Sequence, residues 1–179
     1  MTLWLLLFIS LLQAAGSAAQ TFVARFYTVC IKEDWSSLTL EGRAQPGLRP
    51  FLSQRLWRHL DDAAACQADW VRQQPKGSTD KPPFVDCCLF SSVPDGMPTS
   101  FVVGRTKVLP DGRYQMIVDF VRKETRDRIK WRDAVIVMKE GDHFAIDDVV
   151  YDVDAAPGRQ GRLSGGFQGC RDRRWIGGH

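Results

Sequence analysis

The chain opens on a run from Leu3 to Leu12 that is almost wholly apolar, passes into the small residues Gly16, Ser17, Ala18 and Ala19, and carries no charged side chain before Arg25. That order predicts an export leader over residues 1–19, cleaved after Ala19. Ten apolar residues cover only about 15 Å as a helix against a hydrocarbon core of about 30 Å, so no permanent membrane span is expected. From Thr21 to Asp34 the period becomes helical, with Phe22, Phe26 and Cys30 flanked by Val23, Tyr27 and Ile31, and an amphipathic first helix follows. Residues 41–49 read as a connection. Pro50 suits the first turn of a second helix, whose Leu52, Leu56, Leu60, Ala63 and Ala64 form a stripe and which Pro75 must end. The loop of residues 76–83 leads into the second half of the chain.

There the period turns from helical to alternating. Residues 101–109 and 113–122 read as strands joined by the tight turn Pro110-Asp111-Gly112, with Tyr114, Met116, Val118 and Phe120 on one face. A third strand is predicted over residues 128–139, where Ala134, Ile136 and Met138 oppose Asp133, Val135 and Val137. After Glu140-Gly141-Asp142 comes a fourth, residues 143–152, in which Phe144, Ile146, Asp148 and Val150 alternate with Ala145, Asp147, Val149 and Tyr151. Short successive connections make an antiparallel meander the cheapest topology. Apolar residues on both strand faces are expected of a curved sheet covered by helices. The fold class is therefore α+β, two or three N-terminal helices packed on a curved four-stranded meander.

Composition adds three constraints. About 160 residues after the leader suit one domain, residues 20–154, with a core of its own. A net charge of +3 is too mild to predict nucleic-acid binding. The cations are concentrated from residue 155 onward, where five Arg and seven Gly accompany one Asp, and this stretch is read as a solvated Gly/Arg-rich tail, with a cationic contact surface as the sharper alternative. Seventeen Arg against seven Lys, with no Asn, suit a GC-rich coding sequence and leave no N-glycosylation sequon.

Five cysteines in an exported chain predict disulfides and one thiol left over. Neighbouring residues of an extended segment point to opposite faces, so only one of Cys87 and Cys88 can meet a given partner. Cys66 is the preferred partner, a bridge that adds roughly 3 kcal/mol on the chain-entropy argument. Cys30 and Cys170 form the second candidate bridge. With no C-x-x-C and with His59, His143 and His179 far apart, no metal is expected, and no cofactor.

The ordered motifs Arg25-Phe26-Tyr27, Leu48-Arg49-Pro50-Phe51-Leu52-Ser53, Lys81-Pro82-Pro83-Phe84-Val85-Asp86, Leu89-Phe90-Ser91-Ser92, Pro98-Thr99-Ser100-Phe101 and Ala145-Ile146-Asp147-Asp148-Val149-Val150-Tyr151 resemble an exported bacterial family described as domain of unknown function 3828. Its plan resembles the nuclear transport factor 2-like cone, also called the cystatin-like or ketosteroid-isomerase-like fold. Phe144 stands where that family often has Trp, and Cys87-Cys88 replaces small or polar residues. The resemblance implies the fold and export; it implies no chemistry, because a fold does not carry one.

Candidate chemistry gathers on Asp147 and Asp148, one of which an alternating strand would turn into a cone, and on Asp119, with Tyr27 and Tyr151 as phenols for a pocket of the carboxylate-base kind; the stronger reading is structural, one Asp bonding the backbone or pairing with Arg and the other solvated. Trp131, between Lys130 and Arg132, is a candidate surface anchor, against which a place in the core or under an Arg side chain is the stronger reading. Asp86 beside Cys87 and Cys88 raises a reactive thiol, against which a structural disulfide is the stronger reading. Phosphate loops, G-x-S-x-G elbows and H-E-x-x-H are missing from the sequence. The resulting expectation is a periplasmic or secreted binding domain, not an enzyme, that takes an unknown protein partner and includes the possibility of an immunity protein. The alternative is a small-ligand pocket or an isomerase- or hydrolase-like enzyme on the same fold.

Overall fold

The computed structural model describes residues 2–33, 46–84, 89–93, 97–124, 127–155 and 161–171, of which residues 2–13 and 171 enter by backbone alone. Helix α1 runs unbroken over Thr2–Glu33, across the expected leader boundary. Its second half buries Ala19, Val23, Phe26, Tyr27 and Cys30, the spacing that one face of a 3.6-residue helix requires. A 3-10 helix, Pro46–Phe51, comes next and contains Pro50. The second α-helix therefore begins later than the sequence suggests.

Helix α2, Gln54–Gln73, starts where Ser53 accepts a hydrogen bond from the Leu56 amide at 3.0 Å, an N-cap contact of the sort that adds about 1 kcal/mol. It buries Leu56, Leu60, Ala63 and Ala64 and ends before Pro75. Strands β1 (Ser100–Val108), β2 (Tyr114–Lys123), β3 (Arg128–Glu140) and β4 (His143–Val150) pair antiparallel in the order β1-β2-β3-β4. Gly112, at φ 80°, and Gly141, at φ 61°, supply the left-handed positions of the two hairpin turns. Two short helical turns, α3 (Leu163–Gly166) and α4 (Gln168–Arg171), close the described chain. The molecule is the α+β arrangement expected, two N-terminal helices and an open four-stranded antiparallel sheet.

One sheet face carries Phe101 and Val103, then Met116, Val118 and Phe120, then Val135 and Val137, and these meet α1 in a single core. Rings dominate its centre. Phe26 packs edge-on to Tyr27 at 5.0 Å and to Phe90 at 5.1 Å, and Tyr27 packs edge-on to Phe120 at 5.0 Å. The opposite face holds a smaller cluster of Ala134, Ile136 and Val150.

Two details depart from strict alternation. Ile136 pairs with Asp148 but the next residue, Val137, pairs with Ile146, so Asp147 is an extra residue in β4. This β-bulge brings Ile146 onto the core side with Val149 instead of with Asp148 and Val150, which corrects the expected two-residue phase. A second shift lies between Val103 and Thr106. Within it, a methyl group added at Gly104 would stand 3.0 Å from the Ile117 carbonyl oxygen.

The outer side of β4 is covered from both ends of the sequence. Leu52 bridges to Ile146, with the Ser53 amide donating to the Ile146 carbonyl at 2.8 Å, and Arg162 bridges to Val150, with the Tyr151 amide donating to Gly161 at 2.9 Å. Beyond residue 155 the chain is thus not a solvated tail through its described part: Leu163, Phe167 and Cys170 are buried. Cys170 is bonded to Cys66, with Cα atoms 5.4 Å apart. This pairing replaces both expected bridges, since Cys66 does not join Cys87 or Cys88 and Cys170 does not join Cys30, which is buried on α1. Cys87 and Cys88 themselves lie outside the described residues.

Candidate functional site

Three buried aspartates and three aromatic donors hold the chemistry of the sheet, and each has a protein partner. Asp147, 2% exposed, sits at the β4 bulge where the start of α2 meets the β1–β2 turn. Its Oδ1 accepts from Ser53 Oγ at 2.9 Å and from Arg55 Nε at 2.9 Å; its Oδ2 accepts from Arg55 Nη2 at 2.7 Å and Arg113 Nη1 at 2.8 Å. Arg113 also holds Asp111, and Arg55 reaches the Asp147 carbonyl at 3.0 Å. Burial opposes ionisation here, but the hydrogen bonds from Arg55 and Arg113 outweigh it and hold the Asp147 carboxyl below the ordinary carboxylate range. The same bonds raise both guanidinium groups, Arg55 chiefly through Asp147 and Arg113 chiefly through Asp111. Four donors on two oxygens leave an anion that anchors structure, with no lone pair turned toward a substrate proton.

Asp148 projects from the neighbouring position to the C-terminal segment. It accepts from the Ser164 amide at 3.0 Å, from Ser164 Oγ at 2.8 Å and from Arg162 Nη1 at 3.3 Å. Asp119 is half exposed on β2 and faces Arg132 at 3.5 Å; Arg132 in turn reaches Asp154 at 3.3 Å. The candidate carboxylates Asp147, Asp148 and Asp119 therefore go to three separate places.

The aromatic candidates converge instead on a short internal segment, Leu89–Ser92. Tyr27 Oη donates to the Phe90 carbonyl at 2.9 Å and Tyr151 Oη to the Leu89 carbonyl at 2.6 Å. Trp131 Nε1 donates to Ser91 Oγ at 2.7 Å. Asp133, fully buried on the core face of β3, accepts from the Ser92 amide at 2.9 Å and from the Asp152 amide at 2.8 Å. Leu89 and Phe90 meanwhile enter the main core. Trp131 stacks on Phe120 with centroids 5.4 Å apart and packs partly buried against the core, which agrees with the stronger of its two sequence readings and leaves it no anchor on the surface. Asp86 lies outside the described residues.

Sequence reading missed Ser53, Arg55, Arg113, Asp133 and the serines of the strap. One signal was available: Asp133 shares the phase of Val135 and Val137, and a carboxylate on a core-facing phase demands buried donors. Arg55 and Arg113 give no such sign, because they are partly exposed and far from Asp147 in sequence. An open groove of about 320 Å³ lies at the far end of α2, between Trp70, Val71, Pro75, Lys76 and Pro82, and none of the predicted site residues lines it. Among the described residues, no three His, Cys, Asp or Glu side chains gather as a metal site, and no helix is long and apolar enough to cross a membrane.

Fold and site together define a class: an α+β domain with an open antiparallel sheet whose core face packs on helix α1 and ties down the internal strap Leu89–Ser92. Against known proteins nothing matches, neither a family model, nor a curated protein, nor a solved structure.

Proposed function

We propose that this chain is an exported, non-enzymatic binding domain that acts on a protein partner through its outer surface, an immunity-type role in the periplasm being its most concrete form. The observation that carries the reading is the occupation of the groups a pocket would use. Tyr27, Tyr151, Trp131 and Asp133 all spend hydrogen bonds on Leu89–Ser92, and Asp147 is saturated by Ser53, Arg55 and Arg113. A general base needs a proton acceptor within reach of substrate; a binding surface needs none. The leader-like residues 1–19 and the disulfide support export.

The test is in-cell crosslinking of the tagged full chain in a Gram-negative host, followed by fractionation. The expected result is a periplasmic chain that starts at Gln20 and crosslinks to a defined protein. A chain retained in the cytoplasm, or a periplasmic chain that never crosslinks to protein, overturns the reading. The groove beside Trp70 favours a second reading, a small-ligand carrier, since its volume reaches the lower range of ligand pockets. Saturable binding of a small molecule that Trp70→Ala abolishes is the outcome that would establish it.

A further inference from the structure

A surface outside the carboxylate sites carries three cations, each over an aromatic ring. The guanidinium of Arg25 stands 5.8 Å from the Phe51 ring, that of Arg49 5.5 Å from Trp57, and the Lys139 ammonium 5.6 Å from Phe144. Phe22, Phe51 and Phe144 form one set of neighbouring rings. Phe22 lies 6.0 Å from Phe51 and 6.1 Å from Phe144, linking α1, the 3-10 helix and the β3–β4 hairpin. All three cations are exposed, while Phe22, Trp57 and Phe144 are half-buried. Among the described residues, none of the three cations forms an ion pair, although Arg49 donates to the Leu52 carbonyl at 3.4 Å and Asp61 feels its charge.

We propose that this patch is the docking surface for the protein partner, and that it takes an acidic segment whose carboxylates alternate with apolar side chains. The inference rests on the binding reading above and names its site. Charge complementarity fixes the carboxylates. The half-buried Trp57 and Phe144 beneath Arg49 and Lys139, with the half-buried Phe22 beside the buried Phe51, fix the apolar groups, since Arg and aromatic side chains around a desolvated centre are what interface hot spots are made of. The neighbouring Glu140 and Asp142 on the hairpin favour a protein over an anionic bilayer. A charged plane would press against both acids, whereas a protein places its carboxylates only over the cations.

The probe is a dye-labelled peptide of alternating Glu and Leu, titrated by fluorescence anisotropy against the intact chain. Binding that falls with added salt is expected, weakened at least about tenfold in the variant Arg25→Glu/Arg49→Glu/Lys139→Glu. The neutral variant Arg25→Gln/Arg49→Gln/Lys139→Gln serves as a second reading in case charge reversal unfolds the chain, and thermal unfolding checks both. No binding at low salt, or equal binding by folded variants, overturns the proposal. Phosphatidylglycerol vesicles that bind while the peptide does not also overturn it. A crosslinked periplasmic partner that the folded variants retain removes this surface but leaves the binding reading standing.

Discussion

Asp147 takes its role from an extra residue in a strand. The bulge turns it to the rim, where the α2 cap and two arginines meet. Replacing it with Asn removes a buried anion from two guanidinium groups, and Asp147→Asn should cost about 2–3 kcal/mol near neutral pH. The sign of the pH dependence follows from the lowered folded pKa. The unfolded carboxyl takes its proton near pH 3.9, the folded one at lower pH, so the stabilisation is complete above about pH 5 and is lost as pH falls through the folded value. Urea midpoints of the parent and of Asp147→Asn should therefore approach each other as pH is lowered from about 5. Curves that stay parallel over that range would contradict the anchoring role.

At the scale of elements, the strap and the β1 bulge each yield a prediction. Tyr27→Phe and Tyr151→Phe each leave a carbonyl of Leu89–Phe90 short of a donor and should cost about 1 kcal/mol apiece, while Trp131→Phe should strand Ser91 to a similar extent. Chemical denaturation of the three variants checks this. At Gly104 the obstacle is a backbone carbonyl, which cannot rotate aside, so Gly104→Ala should destabilise by about 1 kcal/mol or more; an unchanged midpoint would show that the β1–β2 register differs. Elements were largely legible in the sequence, because residues 54–73 and the strand runs repeat with unambiguous period. The β4 phase was not. Apolar residues on both faces let Phe144-Ile146 join either Asp148-Val150 or Val149-Tyr151, and only the pairing with β3 decides. Leu89–Ser92 gave no period at all, being four residues whose structure is dictated by side chains from α1, β3 and the segment after β4.

For the whole molecule, the governing feature is how the start of α2 and the segment 161–171 are held together beside β4. The Cys66–Cys170 bridge spans 104 residues, and on the chain-entropy argument closing such a loop stabilises by about 4–5 kcal/mol. Cys170→Ser should lower the denaturant midpoint as much as reduction of the parent does. A Cys170→Ser midpoint equal to that of the oxidised parent, or a peptide map joining Cys66 to Cys87 or Cys88, would return the chain to its sequence-based connectivity. That connectivity was not legible, since spacing alone cannot choose among five cysteines. The candidate site was legible as residue types but not as a constellation: Tyr27, Trp131 and Tyr151 do act together, yet on a piece of the chain itself. The account turns on that strap, and native-state hydrogen exchange of the Ser92 amide and the Trp131 indole N–H tests it most directly. Both should exchange as slowly as the amides of the β2–β3 pairing. Exchange at the rate of an exposed loop would show an open core face, and the case for a surface-acting protein would fall with it.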